Sequence, residues 1–308
     1  MSRSLLRSML PIISLVVVLG ATFYVQPRTM SYFGLNLMLQ YAVPIALATI
    51  AQMFIITVND LDLSIGPFVG LVGCISATVL YSNPLLGACV LLLCIVAYAA
   101  VGALIHSRNL PSIVVTLGLS FVWLGIAVLI LPSPGGKAPD WLKSIMALQT
   151  PFIPFPIIAA IVIGLVVQLA LMHSSLGVIA RGAGGNPRAM ERAGWSMLKT
   201  KAAMYALAGF FGVLSGLSLL GLTTSADAHV ADRYTLYSIA GVILGGGEFI
   251  GGRVSPLGAV IGALTLALAG SFLIFLRISP DWQIGAQGAI LILVLALKAP
   301  LTARDATK

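Results

Sequence analysis

The chain has 308 residues, 59% of them hydrophobic and 8% charged, with a formal net charge of +8 and a mean hydropathy of +1.06. A soluble domain carries about a quarter of its residues charged, because its surface must hold water. These figures therefore exclude an ordinary cytosolic enzyme, a disordered chain and a secreted disulfide scaffold, and they leave an integral membrane protein. Seventeen basic residues scattered among apolar runs form no stripe for nucleic acid. Cys74, Cys89 and Cys94 lie in apolar stretches without metal-ligand spacing and read as small core residues.

A spanning helix needs about 20 mostly apolar residues. Such runs lie near 9–25, 35–58, 65–81, 85–105, 112–131, 153–172, 202–224, 234–250, 254–276 and 282–298. The expected fold is a single all-α transmembrane domain over 1–308 with about ten spans. The third and eighth runs are interrupted by glycine. Ten spans put both termini on one side. With that side cytoplasmic, the inner segments hold 12 of the 17 Lys and Arg residues and the outer ones 5, the asymmetry of the positive-inside rule. Arg3 and Arg7 ahead of the first run also fit a signal peptide, but no small-x-small site follows, so a retained span is expected. Gly66/Gly70, Gly212/Gly216, Gly241/Gly245 and Gly258/Gly262 stand four apart and suit close helix packing, within the chain or between chains.

Three polar features interrupt the apolar pattern. The first lies at 59–66, where Asn59, Asp60, Asp62, Ser64 and Gly66 separate two apolar runs. A carboxylate at mid-bilayer costs about 2.5–3.5 kcal/mol and must be paired, capped or wetted. Either the aspartates cap the following helix, or a broken helix lines a transport path. The second is the inner loop 173–201. Gly182, Gly184, Gly185 and Asn186 predict a turn, Asn186 an N-cap, Pro187 the first helical position, and Gly194 the stop of a two-turn helix. That loop reads equally as a headgroup anchor or as a docking knob for a cytoplasmic partner. The third is Gly245-Gly246-Gly247-Glu248-Phe249-Ile250-Gly251-Gly252-Arg253, a close-packed inner turn; the phosphate-loop pattern is absent from the whole chain. No HExxH, GxSxG or Cys/His cluster occurs, so no catalytic or metal site is expected. The outer stretch 132–156 is rich in proline.

Three segments in order resemble those of ribose-type and autoinducer-2 permeases, the membrane subunits of bacterial carbohydrate-uptake ABC transporters. They are NDLDLSIG at 59–66, ARGAGGNPRAMERAGW at 180–195 and AGVILGGGEFIGGRVSPLGAVIGAL at 240–264. The resemblance implies a permease of the bacterial inner membrane that imports a sugar or sugar-like solute by alternating access. It also implies a cytoplasmic ATP-binding subunit, a periplasmic solute-binding protein and a second permease chain, expected as a homodimer. ATP and Mg would belong to the partner subunit, with no cofactor on this chain. Gly184, Gly185, Asn186, Pro187, Ala189, Ala193 and Gly194 would form the segment that couples to the ATPase, and the loop 132–156 is a candidate contact for the binding protein. Asn59-Asp60, Met190-Glu191 and Glu248 depart from the family pattern and bear on the substrate, a pentose, hexose or polyol. The competing reading is a stand-alone secondary transporter or channel with Asp60 and Asp62 as ion or proton sites.

Overall fold

The computed structural model describes residues 3–249 and 251–277, with four further positions at 282, 285, 288 and 289. Apart from those four positions, the expected tenth run, 282–298, and the C-terminus lie outside the described residues. Helices occupy the other nine runs: α1 (Arg3–Val25), α2 (Tyr32–Leu39) with α3 (Ala42–Thr57), α4 (Ile65–Ile75), α5 (Pro84–Ser107), α6 (Ser112–Ile130), α8 (Phe155–His173), α11 (Met197–Thr223), α12 (Tyr234–Leu244) and α13 (Pro256–Phe275). Three short helices lie between them: α7 (Asp140–Met146), α9 (Ser175–Gly185) and α10 (Pro187–Arg192). Helix α4 continues as a π-helical stretch, Ser76–Leu80.

These helices do not amount to ten full crossings. Five of them, α5, α6, α8, α11 and α13, are long and apolar enough to span a bilayer alone; α2 and α3, bent by 40°, make a sixth if taken as one. The apolar stretches Pro11–Val25, Ile65–Leu80 and Tyr234–Leu244 are shorter. The chain is a multi-pass membrane protein in which three apolar helical stretches are too short to cross on their own.

Local sequence sets the helix starts. Asn83, Ser174, Ser196 and Ser255 each accept a hydrogen bond from the backbone N–H three residues on, and Pro84 and Pro256 take first positions where a missing N–H costs nothing. Every residue of α3 is buried, which makes it the axis of the bundle, with α11, α12 and α13 packed around it. By contrast α5, α6 and α8 turn large apolar side chains outward, among them Leu92, Phe121 and Val162. That pattern fits lipid rather than water.

All four glycine pairs serve contacts inside this chain. A Cβ on Gly212 or Gly216 of α11 would run into Phe68 or Val72 of α4. Gly241 and Gly245 of α12 meet Gly262 and Gly258 of α13 so closely that a methyl group on Gly258 would collide with the Gly245 carbonyl. Tyr205 lies over Gly102 of α5, and Tyr98 lies over Gly209 of α11, so each helix provides the gap for the other's aromatic ring.

The loops separate into two groups. Segment 58–64 contacts the α9 end and the 245–252 turn, through Asn59 to Gly184 and Gly251. At the opposite end, Gly135 pairs with Ala226, Ala138 N donates to Thr224 O, and Tyr32 Oη donates to Thr150 O. The segments expected inside and those expected outside thus gather at opposite ends of the bundle.

Candidate functional site

The first helix break is the stretch between α3 and α4. Asn59 adopts φ 61°, a left-handed conformation that Asn tolerates better than other side chains. Its amide nitrogen donates to Gly184 O (2.6 Å) and its carbonyl oxygen accepts from Gly251 N (3.0 Å). One residue therefore ties the break to both inner segments. Asp60, 9% exposed, accepts from Lys201 Nζ at 2.9 Å on each oxygen and from Tyr205 Oη at 3.2 Å.

Asp62 turns elsewhere and is 1% exposed. One oxygen accepts from Ser64 N and Ser64 Oγ, both at 2.7 Å, and the other from Tyr98 Oη at 2.8 Å. With its amide nitrogen facing the Asp62 carbonyl, Gln52 of α3 donates there (3.0 Å) and accepts from Asp62 N (3.1 Å). Leu61 N and Leu63 N donate to Ser112 and Thr116 of α6. Irregular backbone at membrane depth survives because protein groups replace the missing helix bonds. Neither carboxylate caps α4. Ser64 makes no side-chain cap either, and Gly66 N is met by Thr235 Oγ1 of α12 (3.0 Å). Thus Asp62 and Ser64 belong to a buried knot, Asp60 to an ion pair, and Gly66 to a helix start completed by a distant residue.

A second break lies at 225–233. Helix α12 has 11 residues, about 16 Å at 1.5 Å per residue, roughly half of a hydrocarbon core of about 30 Å. The 225–233 stretch before it is a series of turns. It runs antiparallel to α4, with Ala226 beside Gly73, Ala228 O against Gly70 and Ala231 O against Gly66. Its depth follows from α11: Lys201 near one end pairs with Asp60, Thr224 beyond the other end bonds Ala138, and Gly212 between them lies against Ile65 and Phe68. The α4 and α12 N-termini therefore meet halfway through the bundle and their helices run to opposite faces. The sequence reading runs the eighth span to 250, which the structure corrects to Leu244; it places 225–233 in an outer loop, and the structure packs that stretch along α4. The available signal is the polar string Asp227, His229, Asp232, Arg233 directly before a helix too short to cross.

At the end of the bundle expected to face inward, α9 includes Gly182, Gly184 and Gly185, which the sequence reading places in a turn. Packing overrides the helix cost of glycine here: a Cβ on Gly184 would strike the Thr57 carbonyl, so only glycine lets α9 close on the end of α3. The next helix follows its sequence signals. Asn186 Oδ1 accepts from Ala189 N (3.1 Å), and Pro187 is the first residue of α10. At its far end Trp195 N bonds Met190 O (3.0 Å) and Gly194 N bonds Glu191 O (2.9 Å), with Gly194 at φ 85°. That is a Schellman stop. No residue of α10 is buried, and Pro187, Ala189, Ala193 and Gly194 lie on exposed surface.

The glycine turn divides its labour. Gly245 packs on Gly258, Gly247 on Val242 and Gly252 (φ 65°) on the Arg181 carbonyl, while Gly246 and Gly251 supply positive φ. Glu248 and Arg253 stand 3.7 Å apart at its surface. The 132–156 stretch includes α7, whose Leu142 and Met146 lie against Gly221 of α11. Cys74 and Cys94 are buried as expected, but Cys89 is exposed on α5. Among the described residues no three His, Cys, Asp or Glu side chains gather as a metal site.

Comparison with known proteins adds a family. Residues 34–295 match the family described as branched-chain amino acid transport system / permease component. The chain is 28% identical to the probable ABC transporter permease protein YphD of Escherichia coli (strain K12), over 87% of this chain and 82% of that one. It is 27% identical to the ribose import permease protein RbsC of Haemophilus influenzae, over 92% and 90%. With the galactose/methyl galactoside import permease protein MglC of the same organism the identity is 25%, over 92% and 91%. No solved structure matches.

Proposed function

Because the chain belongs to the branched-chain amino acid transport system / permease component family, we propose that it is the membrane-spanning subunit of an ATP-driven, binding-protein-dependent importer of a sugar or polyol. The relatives' names support the sugar over an amino acid. The structural observation that carries the reading is the link from α10 to the first helix break. The exposed, doubly capped α10 follows α9 directly, and α9 is held at Gly184 by Asn59, the residue that also holds the glycine turn.

In this account α10 docks on a cytoplasmic ATP-binding subunit, where ATP and Mg are held. Movement of that subunit shifts α9 and α10, and Asn59 passes the shift to the breaks before α4 and α12. Two packings of the bundle, opening to opposite sides, then exchange. The chain needs no catalytic residue. A periplasmic binding protein delivers the solute at the outer end, and a second copy of this chain completes the path across the inner membrane. Carrier-type ion coupling is disfavoured because Asp60 and Asp62 are already engaged by Lys201, Tyr205, Ser64 and Tyr98.

The test is uptake of a pentose, hexose and polyol panel by proteoliposomes holding the chain and its ATP-binding partner. Uptake of one solute that needs both internal ATP and external binding protein is expected. Uptake by the chain alone, without ATP, overturns the proposal.

A further inference from the structure

The 225–233 break differs from the 58–64 break in what it shows to the outside. The carboxylates of 58–64 are turned inward and engaged. In 225–233 the small residues Ala226, Ala228 and Ala231 are buried against the glycine face of α4. The ionisable residues point the other way: side-chain exposure is 58% for His229 and 50% for Asp232, and Arg233 is exposed as well. His229 Nδ1 lies 3.0 Å from Asp232 Oδ2, and His229 N donates to Asp227 Oδ1 (2.9 Å). This face lies between the outer end of the bundle and its midpoint. Charged groups that open there are costly to turn to hydrocarbon, and a non-helical stretch is tolerated only in protein or beside water. Exposed surfaces along α5, α6 and α8 are apolar, as at Leu92, Phe121 and Val162.

We propose that the outward face of 225–233, carrying Asp227, His229, Asp232 and Arg233, is the wetted wall of the solute path in the outer half of the membrane. Its close mixture of carboxylate acceptors with imidazole and guanidinium donors suits an uncharged, hydroxyl-rich solute. It holds no one-sign field that would favour an ion. The solute class rests on the permease reading; the wetting does not. The π-helical stretch Ser76–Leu80 lies on the same helix that 225–233 covers, a device often found at functional sites.

The experiment is labelling of single cysteines in the complete transporter by a membrane-impermeant maleimide added from outside, with the exposed Cys89 replaced by Ser. His229→Cys, Asp232→Cys and the milder Val230→Cys sample the face; Val162→Cys on α8 is the lipid-facing control and the exposed Ser82→Cys, in the turn before α5, the outer-turn control. Because the reactive thiolate forms only in water, the face should label at least about tenfold faster than Val162→Cys. Labelling at Val230→Cys should also stop uptake, while labelling at Ser82→Cys should leave it intact. Rates as low as that of Val162→Cys at all three positions overturn the wetting. Labelling without loss of uptake overturns the path. A chain that proves to transport without ATP loses the permease reading, yet the labelling pattern still decides whether this face is wet.

Discussion

Lys201 Nζ stands 2.9 Å from both carboxylate oxygens of Asp60, joining the base of α11 to the first helix break. The two side chains are 16% and 9% exposed, so each is largely withdrawn from water. Removing one partner strands the other's charge, which costs about 3–5 kcal/mol for a buried pair. Asp60→Asn should therefore lower the melting temperature of the purified protein strongly. Asp60→Asn combined with Lys201→Met should recover most of that loss, and uptake should return with it. A coupling-ion site predicts the reverse, a stable Asp60→Asn chain that the second change leaves inactive.

Asn59 combines an unusual backbone with two long-range hydrogen bonds, and substitutions separate these roles. Asn59→Gly relieves the left-handed strain but removes both bonds; Asn59→Ala removes the bonds and adds about 1–2 kcal/mol of strain. Thermal unfolding should rank native above Gly above Ala. If the clamp transmits motion, uptake should fall as far in Asn59→Gly as in Asn59→Ala despite the smaller stability loss.

Adjacent glycines at the end of α9 offer an internal control. A methyl group on Gly184 meets the Thr57 carbonyl and the Gly252 backbone, whereas one on Gly185 comes no closer than 3.5 Å, to Gly251 O. Gly184→Ala should abolish uptake and Gly185→Ala should change it by about twofold or less, since an unstrained helical Gly→Ala change is neutral or stabilising. Equal effects at the two positions would contradict the close packing of α9 on α3.

Gly258 on α13 should be among the least replaceable small residues, because its face is in contact with the Gly245 backbone. Gly118 and Gly125 on α6 have nothing within 4 Å of an added Cβ. Melting temperatures should fall by many degrees for Gly258→Ala and stay level or rise for Gly118→Ala and Gly125→Ala.

Much of this architecture is legible in the residues. Apolar runs locate the helices because lipid demands them, and Asn186-Pro187 with Gly194 delimits α10 because caps act locally. The partial helices are harder to see. Nothing near Gly66 says that its N–H is met by Thr235, 169 residues away. Nor does the spacing of Asp60 and Asp62 tell that one faces Lys201 and the other Tyr98. The 225–233 segment reads as a loop because a run of turns looks the same in water and in a bundle; only its alignment with α4 places it at depth. Glycines predicted as a turn are helical at Gly184 because tertiary contact there outweighs propensity.

The most direct measurement is affinity purification of the tagged full-length chain from its own membranes, with identification of what comes with it. The account predicts an ATP-binding subunit that is retained by the native chain and lost on Ala189→Trp, an exposed α10 position where a bulky side chain leaves the fold intact. A chain that purifies without such a subunit, or that keeps it undiminished with Ala189→Trp, would contradict the account.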